Sequence, residues 1–214
     1  MFLAAIVGLS ACSKAKDTSS SSPAKTLTIQ TQSSKIQITL NDTYKNWQSK
    51  YKLPGWSGPR YKDVSPELAE GETFLILDRD RVGYSVSEEP AASEIQALKW
   101  LLSRADGLNH IVVGAIYEEY PKLKQSLLKH FNSNDLNSLF PTVNNLDDMR
   151  ELIGLVRVYF LEERKNGLPY IVFDLDCNWD VEHGIQVLMN GDRVVRVGTD
   201  GLNPSYIKDD GGKI

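Results

Sequence analysis

From Leu27 to Leu40 apolar and polar residues alternate on both sides of Ser33-Ser34 (LTIQTQSSKIQITL), the period of two half-buried strands joined by a short turn. Trp47 to Arg60 shows neither a helical nor a strand period, and Pro54-Gly55 and Gly58-Pro59 punctuate it as an irregular loop. Its two tryptophans, Trp47 and Trp56, form either a lid or an edge of the core; their large apolar area favours the core. Phe74 to Leu77 (FLIL), bounded by Gly71 and Asp78, reads as a buried strand.

The period then lengthens. Ser87-Glu88-Glu89-Pro90 supplies a cap, acidic residues for the positive helix end and a first-turn proline, and Ile95, Leu98, Leu101 and Leu102 recur at helical spacing until Asp106-Gly107 stops the run. Leu108 to Tyr120 and Leu123 to Phe131 repeat the pattern as two helices separated at Pro121, which a continuous helix does not favour. Asn144 to Asp148 leads into a last short helix near Met149, and Ile153 to Leu161 (IGLVRVYFL) is β-branched and aromatic enough for a strand. Lys165-Asn166-Gly167 is turn chemistry before the return run Leu168 to Leu175. Asn190-Gly191, between Ile185-Gln186-Val187-Leu188-Met189 and Arg193-Val194-Val195-Arg196-Val197, signals a further hairpin. Strands, then helices, then strands predict an α+β fold: a helical layer packed on a mainly antiparallel sheet, with C-terminal β-hairpins.

Phe2 to Leu9 (FLAAIVGL) is apolar but too short to cross a bilayer, which suits the hydrophobic region of an export signal. Leu9-Ser10-Ala11-Cys12 resembles the lipobox of bacterial lipoproteins. That resemblance implies cleavage before Cys12, diacylglycerol on its sulfur and anchoring of the chain to a membrane, and Ser13 in place of Asp implies outer-membrane sorting. Lys14 to Lys25 (KAKDTSSSSPAK) has no apolar period and reads as a flexible spacer. The expected organisation is a signal peptide over 1–11, the lipidated Cys12 and Ser-rich tether over 12–26, one α+β domain over 27–207 and a flexible tail over 208–214.

Composition narrows the function. With 41% hydrophobic and 24% charged residues the bulk of the chain should fold, and a net charge of -4 offers no positive field to gather nucleic acid. Cys12 and Cys177 sit in surroundings too different for a disulfide. Cys177, inside the alternating segment Tyr170 to Trp179, reads as a small buried hydrophobe. The three histidines, His110, His130 and His183, fall in no metal-binding pattern, so neither metal nor cofactor is expected.

The densest polar block is Asp174-Leu175-Asp176-Cys177-Asn178-Trp179-Asp180-Val181-Glu182-His183-Gly184. Were it one extended strand, Asp174, Asp176, Asn178, Asp180 and Glu182 would share a wet face and Phe173, Leu175, Cys177 and Trp179 a dry one. An EF-hand is rejected, since Trp179 stands where that loop needs glycine and Ile185 where it needs glutamate. Glu182 and His183 form an acid-base pair only if the backbone turns, as Gly184 permits. The competing reading has Asp180 and His183 bonded to backbone at a sheet turn while Trp179 fills the core, and the habit of buried polar groups favours it. No nucleophile-elbow, Walker-type or dinucleotide-binding motif occurs.

Trp179-Asp180-Val181-Glu182-His183-Gly184, followed by Val194-Val195-Arg196-Val197-Gly198, resembles the C-terminal W-D-x-E-H-G signature of an uncharacterised bacterial domain family, some of whose members are suspected to be immunity proteins. The resemblance assigns no functional residues. It implies a non-enzymatic domain that binds a protein partner, a toxin or another envelope protein; the candidate site, taken from the polar block itself, is Trp179, Asp180, Glu182, His183 and Gly184. The alternatives are a metal-dependent or acid-base hydrolase using Asp180, Glu182 and His183, and a purely structural envelope role.

Overall fold

A computed structural model describes residues 24–31, 35–41, 43, 46–61, 65–77, 89–127, 140–199, 201–202 and 209. Cys12, the leader, the tether up to residue 23, the Ser33-Ser34 turn, Ser87-Glu88 and His130 lie outside the described residues, and Thr26, expected to end the tether, opens the first strand. The strands are β1 (Thr26–Gln30), β2 (Lys35–Asn41), β3 (Asn46–Tyr51), β4 (Thr73–Leu77), β5 (Ile153–Lys165), β6 (Leu168–Cys177), β7 (Asp180–Asn190) and β8 (Arg193–Gly198). Between β4 and β5 lie α1 (Ala92–Leu102), α2 (Ala105–Leu127) and α3 (Leu146–Arg150). Among the described residues the strands form one eight-stranded sheet in chain order. Every neighbouring pair is antiparallel except β4–β5, whose parallel alignment follows from the helical crossover between them.

The α+β expectation therefore holds in outline, with the sheet dominant and the helical layer small. One main core joins sheet and helices: Ile38, Trp47, Leu75, Leu77, Phe160 and Phe173 from the strands meet Leu98, Leu101, Leu108, Val112 and Ile116 from α1 and α2. The opposite face of β5–β8 carries a smaller cluster of Leu161, Tyr170, Val172 and Leu188 under Leu202. The central strands are thus buried on both sides, and β6 is buried at every position after Leu168.

Four local expectations are corrected. The stretch expected to be a loop from Trp47 begins as β3, where Trp47 and Tyr51 pack towards the core and Gln48 and Lys50 alternate with them. The period of two was present, but the proline and glycine that follow masked it. Trp47 is fully buried, and Trp56 stacks on Phe173 with ring centroids 5.4 Å apart, so both tryptophans belong to the core. Asp106-Gly107 does not end a helical run: α1 has already ended, and Asp106 sits in the first turn of α2, where its charge suits the positive helix end.

Pro121 does not divide α2. It stands exposed, while Tyr120 beside it is buried and donates to the Pro141 carbonyl at 3.0 Å, and Lys124 Nζ reaches the Phe140 carbonyl at 2.9 Å. These anchors on both sides offset the lost backbone bond, about 3 kcal/mol in a helix interior. The cap of α1 also differs. Ala91 is the N-cap, and Glu94 Oε2 returns to the Ala91 N–H at 2.6 Å, so the carboxylate half of a capping box does the work.

Both expected hairpins form, the first with its turn where expected. Asn166 (φ 53°) and Gly167 (φ 76°) take the two left-handed positions that join β5 to β6. The last turn is shifted by one residue: Asn190 pairs with Arg193, leaving Gly191-Asp192 as the loop, and Asn190 Nδ2 binds the Leu168 carbonyl at 2.9 Å instead. Asp209, in the stretch expected to be a tail, accepts from Tyr170 Oη at 2.7 Å and pairs with Lys165 and Arg193.

Candidate functional site

The polar block is a hairpin end and not one strand. Cys177 pairs with Asp180, so Asn178-Trp179 is a two-residue turn and the chain reverses in the middle of the block. The expected single wet face is therefore absent: Asp174 and Asp176 are buried on β6, whereas Val181, Glu182 and His183 stand exposed on β7. The alternation of carboxylates had looked like one strand because the turn residues, Asn178 and Trp179, kept its phase.

Leu175 pairs with Ile185 and Cys177 with Asp180, so two steps along β6 face five along β7. The surplus leaves the sheet as a knuckle, Val181 to Gly184. Asp180 Oδ1 closes it, accepting the His183 N–H at 3.0 Å and lying 3.0 Å from His183 Nδ1. Gly184 takes φ +67°, and a Cβ there would fall 2.3 Å from the Leu175 carbonyl oxygen. Gly184 is needed by the backbone, and Asp180 serves the turn as the competing reading expected. Val181 is half exposed, 50%, at the crest beside Glu182 and His183.

Trp179 anchors the knuckle from below. Its ring meets Tyr120 edge-on at 5.1 Å and stacks on Phe140 at 5.8 Å, while Tyr120 and Phe140 are 5.5 Å apart. Burial pushes the Tyr120 hydroxyl up to about 12, assisted by Cys177, and pushes the Cys177 thiol up to about 12 as well. Cys177 is fully buried and is the small hydrophobe expected. Trp179 Nε1 is buried without a hydrogen-bond partner among the described residues.

Two buried carboxylates brace the same hairpin. Asp176 Oδ2 accepts the backbone N–H of Arg60 at 2.7 Å and of Tyr61 at 2.9 Å, clasping the loop that follows β3 to the sheet. Oδ1 is buried beside Gly154, close enough to its N–H for electrostatic stabilisation but without a well-formed hydrogen bond. Gly154 is required there, since a Cβ would lie 2.5 Å from the Gly58 oxygen and 2.6 Å from the Arg60 nitrogen. Tyr61 Oη donates to Asn178 Oδ1 at 2.9 Å, tying the clasp to the turn. Asp174 accepts from Arg157 at 3.1 Å and from Gln186 at 3.2 Å. Burial raises the pKa of both carboxyls above the ordinary aspartate range, against the pull of these donors. Sequence reasoning placed Asp174 and Asp176 with the exposed acids; the hydrophobic flanks Val172-Phe173 and Leu175 were the available signal that this strand is buried on both faces.

Chemically, the site offers an exposed crest braced over a closed base. Among the described residues no cluster of His, Cys, Asp and Glu has the spacing to hold a metal ion. His110 lies away from the knuckle, on a groove between α2 and β8 with Glu118, Lys122, Asp192 and Val194.

No curated protein and no solved structure matches the chain. Residues 43–203, which include every candidate residue of the knuckle, match the family described as Domain of unknown function (DUF6985). Since that match spans most of the chain and reaches from β3 past β8, the protein belongs to the DUF6985 family.

Proposed function

We propose that this chain is a lipoprotein anchored in the bacterial envelope through Cys12, the outer membrane being favoured by Ser13, and that its domain binds another protein without catalysing a reaction. Toxin inhibition, the immunity-like role that the resemblance suggests, is the form of binding put forward, by analogy. The observation that carries the reading is the knuckle: an apolar crest residue, Val181, flanked by exposed Glu182 and His183 on a turn braced by Asp180, Gly184 and the Trp179 cluster. An exposed patch with an apolar centre and polar rim, braced from below, suits recognition of a protein surface.

The test is a capture experiment with the full-length chain against envelope extracts, comparing the native protein with a Val181→Ala, Glu182→Ala, His183→Ala triple variant. A partner held by the native chain and lost by the variant supports the reading. Recovery of the same proteins by both forms contradicts it. For the anchor, radiolabelled palmitate should enter the native chain and not Cys12→Ala; equal labelling of the two removes the lipid.

The contact between Asp180 and His183 Nδ1 favours a second reading, in which the carboxylate orients the imidazole and Nε2 acts as a base with Glu182 nearby. A hydrolytic activity abolished by His183→Ala but retained by Val181→Ala would establish it over the binding reading.

A further inference from the structure

Strands β2 and β3 form a fork. They pair only through Thr39 with Gln48, Leu40 with Trp47 and Asn41 with Asn46, although β2 begins at Lys35 and β3 runs on to Tyr51. Along the fork each strand is paired on its other side, β2 with β1 over 35–39 and β3 with β4 over 47–51. The Leu40 N–H donates to the Lys25 carbonyl at 2.9 Å, which by antiparallel alternation commits Leu40, Ile38 and Ile36 to β1. The backbone groups of Lys35 and Gln37 are then turned into the fork. The pairing of Gln48 with Thr39 turns those of Lys50 the same way, and among the described residues the Lys50 carbonyl accepts from the Ser49 hydroxyl, at 3.3 Å, and not from β2.

A depression of about 830 Å³ occupies this fork. Lys35, Ile36, Gln37 and Thr39 line one side and Gln48, Ser49, Lys50 and Tyr51 the other, with Thr28 and Phe74 at the margins. In a chain of net charge -4 this lining holds two lysines and no carboxylate. Lys50 lies over the Phe74 ring, 5.8 Å from its centroid, and donates to the Glu67 carbonyl; Lys35 is exposed.

We infer that the fork accepts an extended segment of a partner protein, which enters as an added strand between β2 and β3 and presents carboxylates to Lys35 and Lys50. The inference names what the partner offers at a second face, and so rests on the reading of the domain as a protein binder. Two strand edges whose backbone groups have no partner among the described residues are a template for main-chain hydrogen bonds, which supply affinity without sequence preference. Preference comes from the side chains, since a strand lying there sets alternate residues directly across from Lys35, Gln37 and Lys50, where opposite charges attract. Its other face meets Ile36 and Tyr51, so the matching segment alternates acidic and apolar residues.

The test uses the full-length chain and three fluorescein-labelled peptides of about ten residues: one alternating Val and Glu, one alternating Val and Lys, and the first with every second amide N-methylated. The Val-Glu peptide should bind saturably and shift the amide signals of Lys35, Gln37 and Lys50. Both other peptides should bind about tenfold more weakly or worse, and a Lys35→Glu, Gln37→Glu variant, altered only at exposed positions, should lose the Val-Glu peptide while keeping its melting temperature. No binding overturns the inference. So does binding that tolerates N-methylation, which reports charge attraction alone, and so does self-association that protects these amides without peptide, which assigns the fork to a second copy. If the peptide fails while capture through Val181 persists, only the fork is removed; if both fail, the binding reading falls with it.

Discussion

The two ends of the sheet solve the same problem differently. At the β5–β8 end, strands of up to thirteen residues carry a main core on one side and the Leu202 cluster on the other, and β6 is buried at every position after Leu168. At the β1–β4 end the strands are of five to seven residues, and the β2–β3 ladder stops after three pairs. The difference teaches where recognition is cheap to build. The long end has enough buried area to hold an irregular knuckle in place, while the short end leaves backbone groups that have no partner among the described residues.

The sharpest way to break this contrast is to empty the base of the knuckle. Trp179→Ala should destabilise the fold by about 3–5 kcal/mol, measured by urea unfolding. Trp179→Phe, which deletes an indole N–H lacking a partner among the described residues, should cost well under half of that; equal losses would contradict the aromatic packing around Tyr120 and Phe140. Next in size, Asp176→Ala strands the N–H groups of Arg60 and Tyr61 and should cost about 1–3 kcal/mol. An unchanged unfolding midpoint would show that the clasp contributes nothing.

A pH series sharpens the comparison further. The folded-state pKa values of Asp174 and Asp176 are raised, so the stability linked to them is fully present below the ordinary aspartate range and is lost as pH rises through the raised values. Arg157 and Gln186 face Asp174, and neither titrates between about pH 3 and about pH 7. The decline in melting temperature over that interval should therefore be shallower in Asp174→Asn than in the native chain; parallel curves would remove Asp174 as a source. The smallest effect is at the crest, where Val181→Ala should stay within about 0.5 kcal/mol of native stability and still weaken partner capture.

Much of the fold was legible because its signals are local. The hairpin over Leu27–Leu40, the buried strand at Phe74 and the Asn166-Gly167 turn each declare themselves within ten residues or so. What escaped was non-local. Pro121 survives inside α2 because Tyr120 and Lys124 find carbonyl partners about twenty residues further along the chain. Asp176 is buried because the loop over Gly58–Tyr61 needs an acceptor, and that demand arises more than a hundred residues away. Within the block, Trp179 filling the core and Asp180 serving a backbone turn were readable from residue type; the reversal at Asn178-Trp179 was not, since two turn residues preserve the alternation of a strand. The fork left no trace in periodicity, because β2 and β3 alternate correctly whether or not they meet.

Amide hydrogen exchange on the full-length chain tests the contrast between the two ends most directly. The fork-facing amides of Lys35, Gln37 and Lys50 should exchange orders of magnitude faster than those of Ile36 and Ile38, which alternate with Lys35 and Gln37 in β2, and than those of Val172 and Leu188 in the long strands β6 and β7. Uniform protection across both sets would mean that the β2–β3 ladder is closed and that the sheet has no open end.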